Sequence, residues 1–251
     1  MDTDKINKMR IAGRLTAEVL EAVSVIVKPG ITPLEIDAFC ETYIVDKLKA
    51  IPGCKGQYGY PFTINTSVNY VVCHGMPNKK PLSKGDIVNI DITVKKDGYY
   101  GDSSKMFCIG DVSAHAQRLV DVTYECLFKA IDIVKPGATL GDIGHAIQSH
   151  AEKNHYSVVR EYCGHGIGKA MHEEPQVMHW GKAGEGRVLE AGMTFTIEPM
   201  INQGKRDIKT LRQHNWDIVI TKDRRLSAQW EHTILVTETG HEILTLRKEE
   251  Q

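Results

Sequence analysis

Apolar residues recur at helical spacing from Ile6 through Met9, Leu15, Val19 and Val23 to Ile26. Pro29 and Gly30 stop this helix. ITPLEID then opens a second one, with Thr32 as N-cap, Pro33 in the first turn and Glu35 closing a capping box. This second helix is expected to bury Ile36, Phe39, Tyr43 and Leu48. Further along, the period shortens to two. In DIVNIDITV, residues 86–94, Val88, Ile90, Ile92 and Val94 share one face of a strand, and Asn89, Asp91 and Thr93 share the other.

The pattern then repeats. VKPGITPLEI at 27–36 returns as VKPGATLGDI at 134–143, and Thr139 with Asp142 reproduces the capping pair. Upstream, Glu18, Leu20 and Ile26 recur at the same offset as Glu125, Leu127 and Ile133. Two copies do not make a solenoid. They predict two similar halves, about 1–108 and 109–251, each with two helices followed by strands. The same offset carries Asp91 onto Glu198, in a strand MTFTIEPMI whose Met193, Phe195 and Ile197 share one face and Thr194, Thr196 and Glu198 the other. If a pseudo-twofold axis relates the halves, both carboxylates point into one central crevice.

After Asp91 the chain runs ITVKKDGYYGD, and KKDG is a hairpin signal. A four-residue loop sets Asp91 opposite Asp102, and a two-residue Asp97–Gly98 turn sets them one diagonal apart. Either register puts both on one face. Directly opposed carboxylates at ~4 Å and an effective dielectric of ~20 repel by about 4 kcal/mol. A shared proton or a cation would offset that cost; a splayed, solvated surface pair would avoid it. A final strand LSAQWEHTILVT centres on Glu231. Together with Glu198 it makes four acids in predicted strands, a set that fits a site for two divalent ions better than random surface charge.

In YCGHGIGKAMHEEP, residues 162–175, Gly164, Gly166 and Gly168 are expected to bend the backbone around His165. The segment lacks the GxxxxGK[ST] spacing of a phosphate loop, and His172 begins HEEP rather than the HExxH of a zincin helix. Cys163 beside His165 raises a thiol nucleophile, set aside on the expectation that the two side chains face opposite ways. A lone histidine is more often structural than a ligand; two of them beside a glycine-rich stretch in a carboxylate-rich chain point to function.

Composition is that of a soluble globular protein, 41% apolar and 25% charged. A net charge of −1 gives no electrostatic reason to expect nucleic acid or an anionic membrane. No apolar run approaches a membrane span. The charged opening MDTDKINKMR reads as no signal peptide. The six cysteines form no CxxC pair and read as reduced, small buried side chains of a cytoplasmic protein. GMPNKKPLSKG at 75–85 reads as a surface loop, 109–117 as the link between halves, and RKEEQ as a frayed end.

VCHGMP (72–77), NIDITV (89–94), GDSSKMF (101–107), YCGHGIG (162–168), MHEEPQV (171–177), TFTIEPM (194–200) and LSAQWEHTI (226–234) together resemble the type I methionine aminopeptidases over nearly the whole chain. The resemblance implies an α+β pita-bread fold: one catalytic domain over 1–251, two pseudo-symmetric halves, a curved antiparallel sheet and helices on its outer face. It implies Asp91, Asp102, His165, Glu198 and Glu231 as ligands of two divalent ions, with Asp102 and Glu231 bridging, Asp91 on one ion and His165 with Glu198 on the other. Such donors suit Mn, Fe(II) or Co. The implied reaction is metal-assisted removal of N-terminal methionine before a small second residue. Glu198 passes a proton to the leaving amine, His172 stabilises the oxyanion, and His74 contacts the backbone beyond the scissile bond. Cys54, Tyr60, Met171 and Trp216 are expected to form the methionine pocket. Gln57, Asn65 and Met171 depart from the usual aromatic, cysteine and phenylalanine, which puts the pocket's shape in question but not the metal site. The expected partner is a nascent polypeptide N-terminus near the ribosome, with no specific nucleic acid or membrane, and the expected state is a monomer. Three rivals stand beside this reading: a peptidase of the same fold cutting before proline, a binding module of that fold without chemistry, and an unrelated two-carboxylate glycosidase.

Overall fold

The computed structural model describes residues 2–213 and 215–251. The first part of the chain forms α1 (Thr3–Val23), α2 (Pro33–Thr42), the short β1 (Ile51–Pro52), β2 (Ile64–Val68), β3 (Val71–Cys73), β4 (Ile87–Lys96) and β5 (Tyr99–Cys108). There follow α3 (Ala114–Ile131), α4 (Leu140–Lys153), β6 (Ser157–Val158), β7 (Gly164–Gly166), β8 (Glu173–Val177), β9 (Thr194–Ile197) and β10 (Met200–Asn202). The chain closes with β11 (Ile208–Gln213), β12 (Trp216–Thr221), β13 (Ser227–Gln229), β14 (His232–Val236) and β15 (His241–Ile243). All strand pairs within these sheets are antiparallel.

Both capping boxes form. Thr32 accepts from the Glu35 amide while Glu35 reaches back to the Thr32 amide, and Thr139 with Asp142 does the same at α4. α2 lengthens by one wide turn over Tyr43–Lys47. Ile36 and Ile44 are fully buried, while Phe39, Tyr43 and Leu48 pack at the edge of the same core. That core joins Val19, Leu20 and Val23 of α1 to Val88, Ile90, Ile92 and Val94 of β4. A second, larger core joins α3 and α4 to Phe195 and Ile197 of β9 and Ile234 and Val236 of β14. Helix pairs therefore cover the apolar faces of the strands, and the polar faces are left to one another.

The hairpin uses the two-residue turn. Lys96 pairs with Tyr99, and Asp97 and Gly98 both take positive φ (50° and 84°), which matches the right-handed twist of the strands. Asp91 accordingly pairs with Ser104 and Asp102 with Thr93, so the two acids are diagonal neighbours.

Four expectations need correction. The link at 109–117 is shorter than expected, since α3 already begins at Ala114. Glu198 is not within a strand but between β9 and β10, next to Pro199, whose missing N–H interrupts the ladder. LSAQWEHTILVT is likewise not one strand, nor the last: Glu231 lies between β13 and β14, bridged to Ser104, and β15 follows. β9 pairs with β14 and β10 with β13 in one common register, so the two glutamates face each other at the break. The C-terminal RKEEQ is not frayed at its start, because Arg247 is entirely buried. The 75–85 loop is exposed at 78–81 but anchored by buried Met76 and Leu82.

Candidate active site

Asp91, Asp102, His165, Glu198 and Glu231 line one cleft of about 520 Å³. They arrive from four places: the β4–β5 hairpin, β7, the β9–β10 break and the β13–β14 break. One oxygen each from Asp102 and Glu231 and one ring nitrogen of His165 lie within 4.8 Å of one another. His165 Nε2 is 3.8 Å from Asp102 and 3.6 Å from Glu198.

Neighbouring groups aim these side chains. Thr93 donates to Asp102 Oδ1 (2.9 Å). Thr196 donates to Glu198 Oε1 (2.8 Å) and Gln229 to Oε2 (3.1 Å), so both carboxylate oxygens are oriented. Thr196 Oγ1 also accepts from the His165 amide (3.0 Å). The His165 ring meets the Gly166 carbonyl through Nδ1 (3.0 Å). A carbonyl only accepts, so Nδ1 carries the proton, and the lone pair on Nε2 faces the carboxylates.

With all four acids ionised the electrostatics are unfavourable. Burial pushes all four acids up, and charge on the neighbouring acids raises Asp91, Glu198 and Glu231 further. The hydrogen bond from Thr93 partly relieves Asp102. Asp102 is raised to about 7 and Glu198 to about 8; Asp91 and Glu231 go well above their ordinary range. Burial, then the neighbouring His172, lower His165 to about 4, which keeps the ring neutral and able to ligate. Among the described residues lining the cleft there is no lysine or arginine. The donor set, four carboxylates and one neutral imidazole with no protein cation beside them, fits divalent metal ions.

His74 and His172 sit at the same cleft. His74 holds a left-handed φ of 59°, a strained setting for a bulky residue, while its carbonyl accepts from Trp216 Nε1 (2.9 Å). His172 lies at the exposed mouth, its ring 4.3 Å from that of His165. Cys54, Tyr60 and Met76 form a small apolar cluster flanked by Met171 and Trp216, with the Tyr60 and Trp216 rings 4.3 Å apart. Gln57 reaches the Tyr100 hydroxyl (3.2 Å). Asn65 pairs with Asp91 across the strands, and its buried Oδ1 has no protein partner. Cys163 does not turn away from His165; both border the cleft. Burial and the charge of Glu198 push its thiol up, which keeps it protonated and a poor nucleophile.

The sequence reading missed the supporting residues. Thr93 could have been found, since it shares the face of Asp91 in NIDITV, and Gln229 precedes Glu231 by two. Nothing local marks His179. It is wholly buried, accepts from the Glu198 amide through Nε2 (3.2 Å) and leaves Nδ1 without a partner. The glycines act differently from the expectation. A Cβ on Gly164 would stand 2.3 Å from the Thr196 carbonyl oxygen, and one on Gly166 would stand 2.2 Å from that of Glu174. They let strands close in around His165 rather than bend the chain.

Residues 7–238 match the model of metallopeptidase family M24. The methionine aminopeptidase of Escherichia coli (strain K12) is 54% identical over 248 residues, 98% of this chain and 93% of that protein. The crystal structure of methionine aminopeptidase from Rickettsia prowazekii superposes with a TM-score of 0.95 at 50% identity, covering 98% of each chain. The X-Pro aminopeptidase of Thermotoga maritima shares the fold at a TM-score of 0.75 and 21% identity, but this chain covers only 62% of it. The architecture is the α+β pita-bread fold common to these proteins.

Proposed function

The chain belongs to metallopeptidase family M24, and from its 54% identity to the Escherichia coli methionine aminopeptidase over 98% of the chain we propose that it is a methionyl aminopeptidase, removing N-terminal methionine from polypeptides with a small second residue. The observation that carries this is the convergence of four acids, Asp102 and Glu231 buried and Asp91 and Glu198 part-buried, and the Nε2 face of His165 in a cleft beside an apolar pocket. Asp91, Asp102, His165, Glu198 and Glu231 would hold two divalent ions. Bound there, divalent ions supply Lewis acidity, polarising the scissile carbonyl and making water acidic enough to attack near neutral pH.

The chain's own residues do the rest. Cys54, Tyr60, Met171 and Trp216 enclose the methionine side chain and exclude water from it. Glu198, its oxygens oriented by Thr196 and Gln229, moves a proton to the leaving amine. His172 stands at the mouth to donate to the developing oxyanion. His74, fixed by the Trp216 hydrogen bond, contacts the substrate backbone beyond the scissile bond. The two halves, about 1–108 and 109–251, act as a single catalytic domain, working as a monomer in the cytoplasm on N-termini emerging near the ribosome. Among the described residues no helix is long and apolar enough to cross a membrane.

Peptide release from Met-Ala-Ser after chelation, with metals returned singly under anaerobic conditions, tests the reading. Activity lost on chelation and restored by Mn, Fe(II) or Co supports it. Preferential cleavage of an Ala-Pro peptide would replace it with the proline-directed reading. Absence of metal-dependent hydrolysis of either peptide would favour the binding module.

A further inference from the structure

Asp102 and Glu231 come from opposite parts of the chain, and the residues after them in sequence, Ser103 and His232, are wholly buried. The pleat sends these neighbours to the rear of the strands while the acids face the cleft. The C-terminal segment 244–250 runs along that rear face. The Leu244 amide donates to the Thr233 carbonyl (2.9 Å), and Thr245 Oγ1 accepts from the Thr233 amide (3.0 Å). Thr233 Oγ1 donates to the Asp102 carbonyl (2.7 Å) and accepts from the Asp102 amide (3.1 Å).

At the centre of the segment lies Arg247, with no exposed surface. Its Nη1 donates to Ser103 Oγ (3.2 Å), and Ser103 Oγ donates to the Glu231 carbonyl (2.6 Å). Its Nη2 donates to Glu250 Oε1 (2.5 Å), and the guanidinium lies over the Trp230 ring, 5.5 Å from its centre. Both helix layers grip the same segment: Arg14 of α1 donates to the Leu246 carbonyl (2.9 Å), and Tyr124 of α3 donates to Glu250 (3.2 Å).

Packing alone does not account for a buried arginine, since a well-fitted apolar side chain fills such a space at no desolvation cost. What the guanidinium adds is a rigid fork of donors, one prong on the C-terminal segment and one on the seam between Asp102 and Glu231. We propose that Arg247, acting through Ser103, is a positioning residue that holds Asp102 and Glu231 at the separation a shared cation requires. This rests on the metallopeptidase reading above.

The test titrates chelated wild type, Ser103→Ala and Arg247→Lys with Co(II), followed by visible absorption, and measures kcat and KM on Met-Ala-Ser. Ser103→Ala removes only the hydroxyl link; Arg247→Lys keeps the charge and loses the fork. Both are expected to bind Co(II) about 10-fold or more weakly and to lose kcat, with KM nearly unchanged. Should Arg247→Lys fail to fold, Ser103→Ala decides. Affinity and kcat within about twofold of wild type in the folded variants would overturn the proposal. So would losses that merely track a falling folded fraction in circular dichroism. Failure of wild type itself to bind Co(II) would instead overturn the metallopeptidase reading, and this proposal with it.

Discussion

Glu198 shows how one residue's position settles what it can do. It sits where Pro199 breaks a ladder, so its carboxylate leaves the sheet and meets His165 at 3.6 Å, with Thr196 and Gln229 holding its oxygens. Glu198→Gln keeps the shape and removes the ability to carry a proton. It is expected to lower kcat on Met-Ala-Ser by about 10²–10⁴-fold. Activity within about threefold of wild type would reject the role. Glu198 was legible because the internal repeat carries Asp91 onto it and TFTIEPM is among the motifs that resemble the family. His179 was not legible: its contact with the Glu198 amide depends on two segments meeting in space. Arg247 was hidden for a related reason, since a charged residue near the end of a chain ordinarily faces water, and only the completed fold shows it buried.

At the scale of elements, the helix starts were readable because capping boxes are local chemistry, and both formed as expected. The hairpin left two registers open, and the left-handed backbone at Asp97 and Gly98 chose between them. Strand breaks at Glu198 and Glu231 were harder to read, because each depends on where the chain crosses from one sheet to another. β7 illustrates the cost of that crowding. Alanine in place of glycine normally favours a strand by about 0.5–1 kcal/mol. At Gly164 the added Cβ would press on the Thr196 carbonyl oxygen at 2.3 Å, backbone that cannot swing aside. Gly164→Ala is therefore expected to destabilise, by about 1–3 kcal/mol in urea unfolding. A variant at least as stable as wild type would show that the strands have room to part.

For the whole molecule, folding brings like charges together in the interior and leaves no lysine or arginine among the described residues of the cleft to offset them. The linkage follows from the direction of the shifts. Acids raised toward about 7 and about 8 in the folded protein hold protons that the unfolded chain has already released, so metal-free stability falls as pH rises from about 4 through that range. A divalent cation reverses this by displacing the protons. The repeat made the two halves visible, and the register carried Asp91 onto Glu198, yet neither could say that the C-terminal segment would brace the seam between them.

The most direct measurement is therefore calorimetric titration of the chelated protein with Mn(II) at pH 7, in two buffers of different ionisation enthalpy. Saturation at about two ions per chain is expected, with net proton release revealed by the buffer difference and both affinity and proton release reduced when Asp102 is changed to Asn. Binding that does not saturate, or that releases no protons, would contradict the claim that these five side chains are gathered around cations.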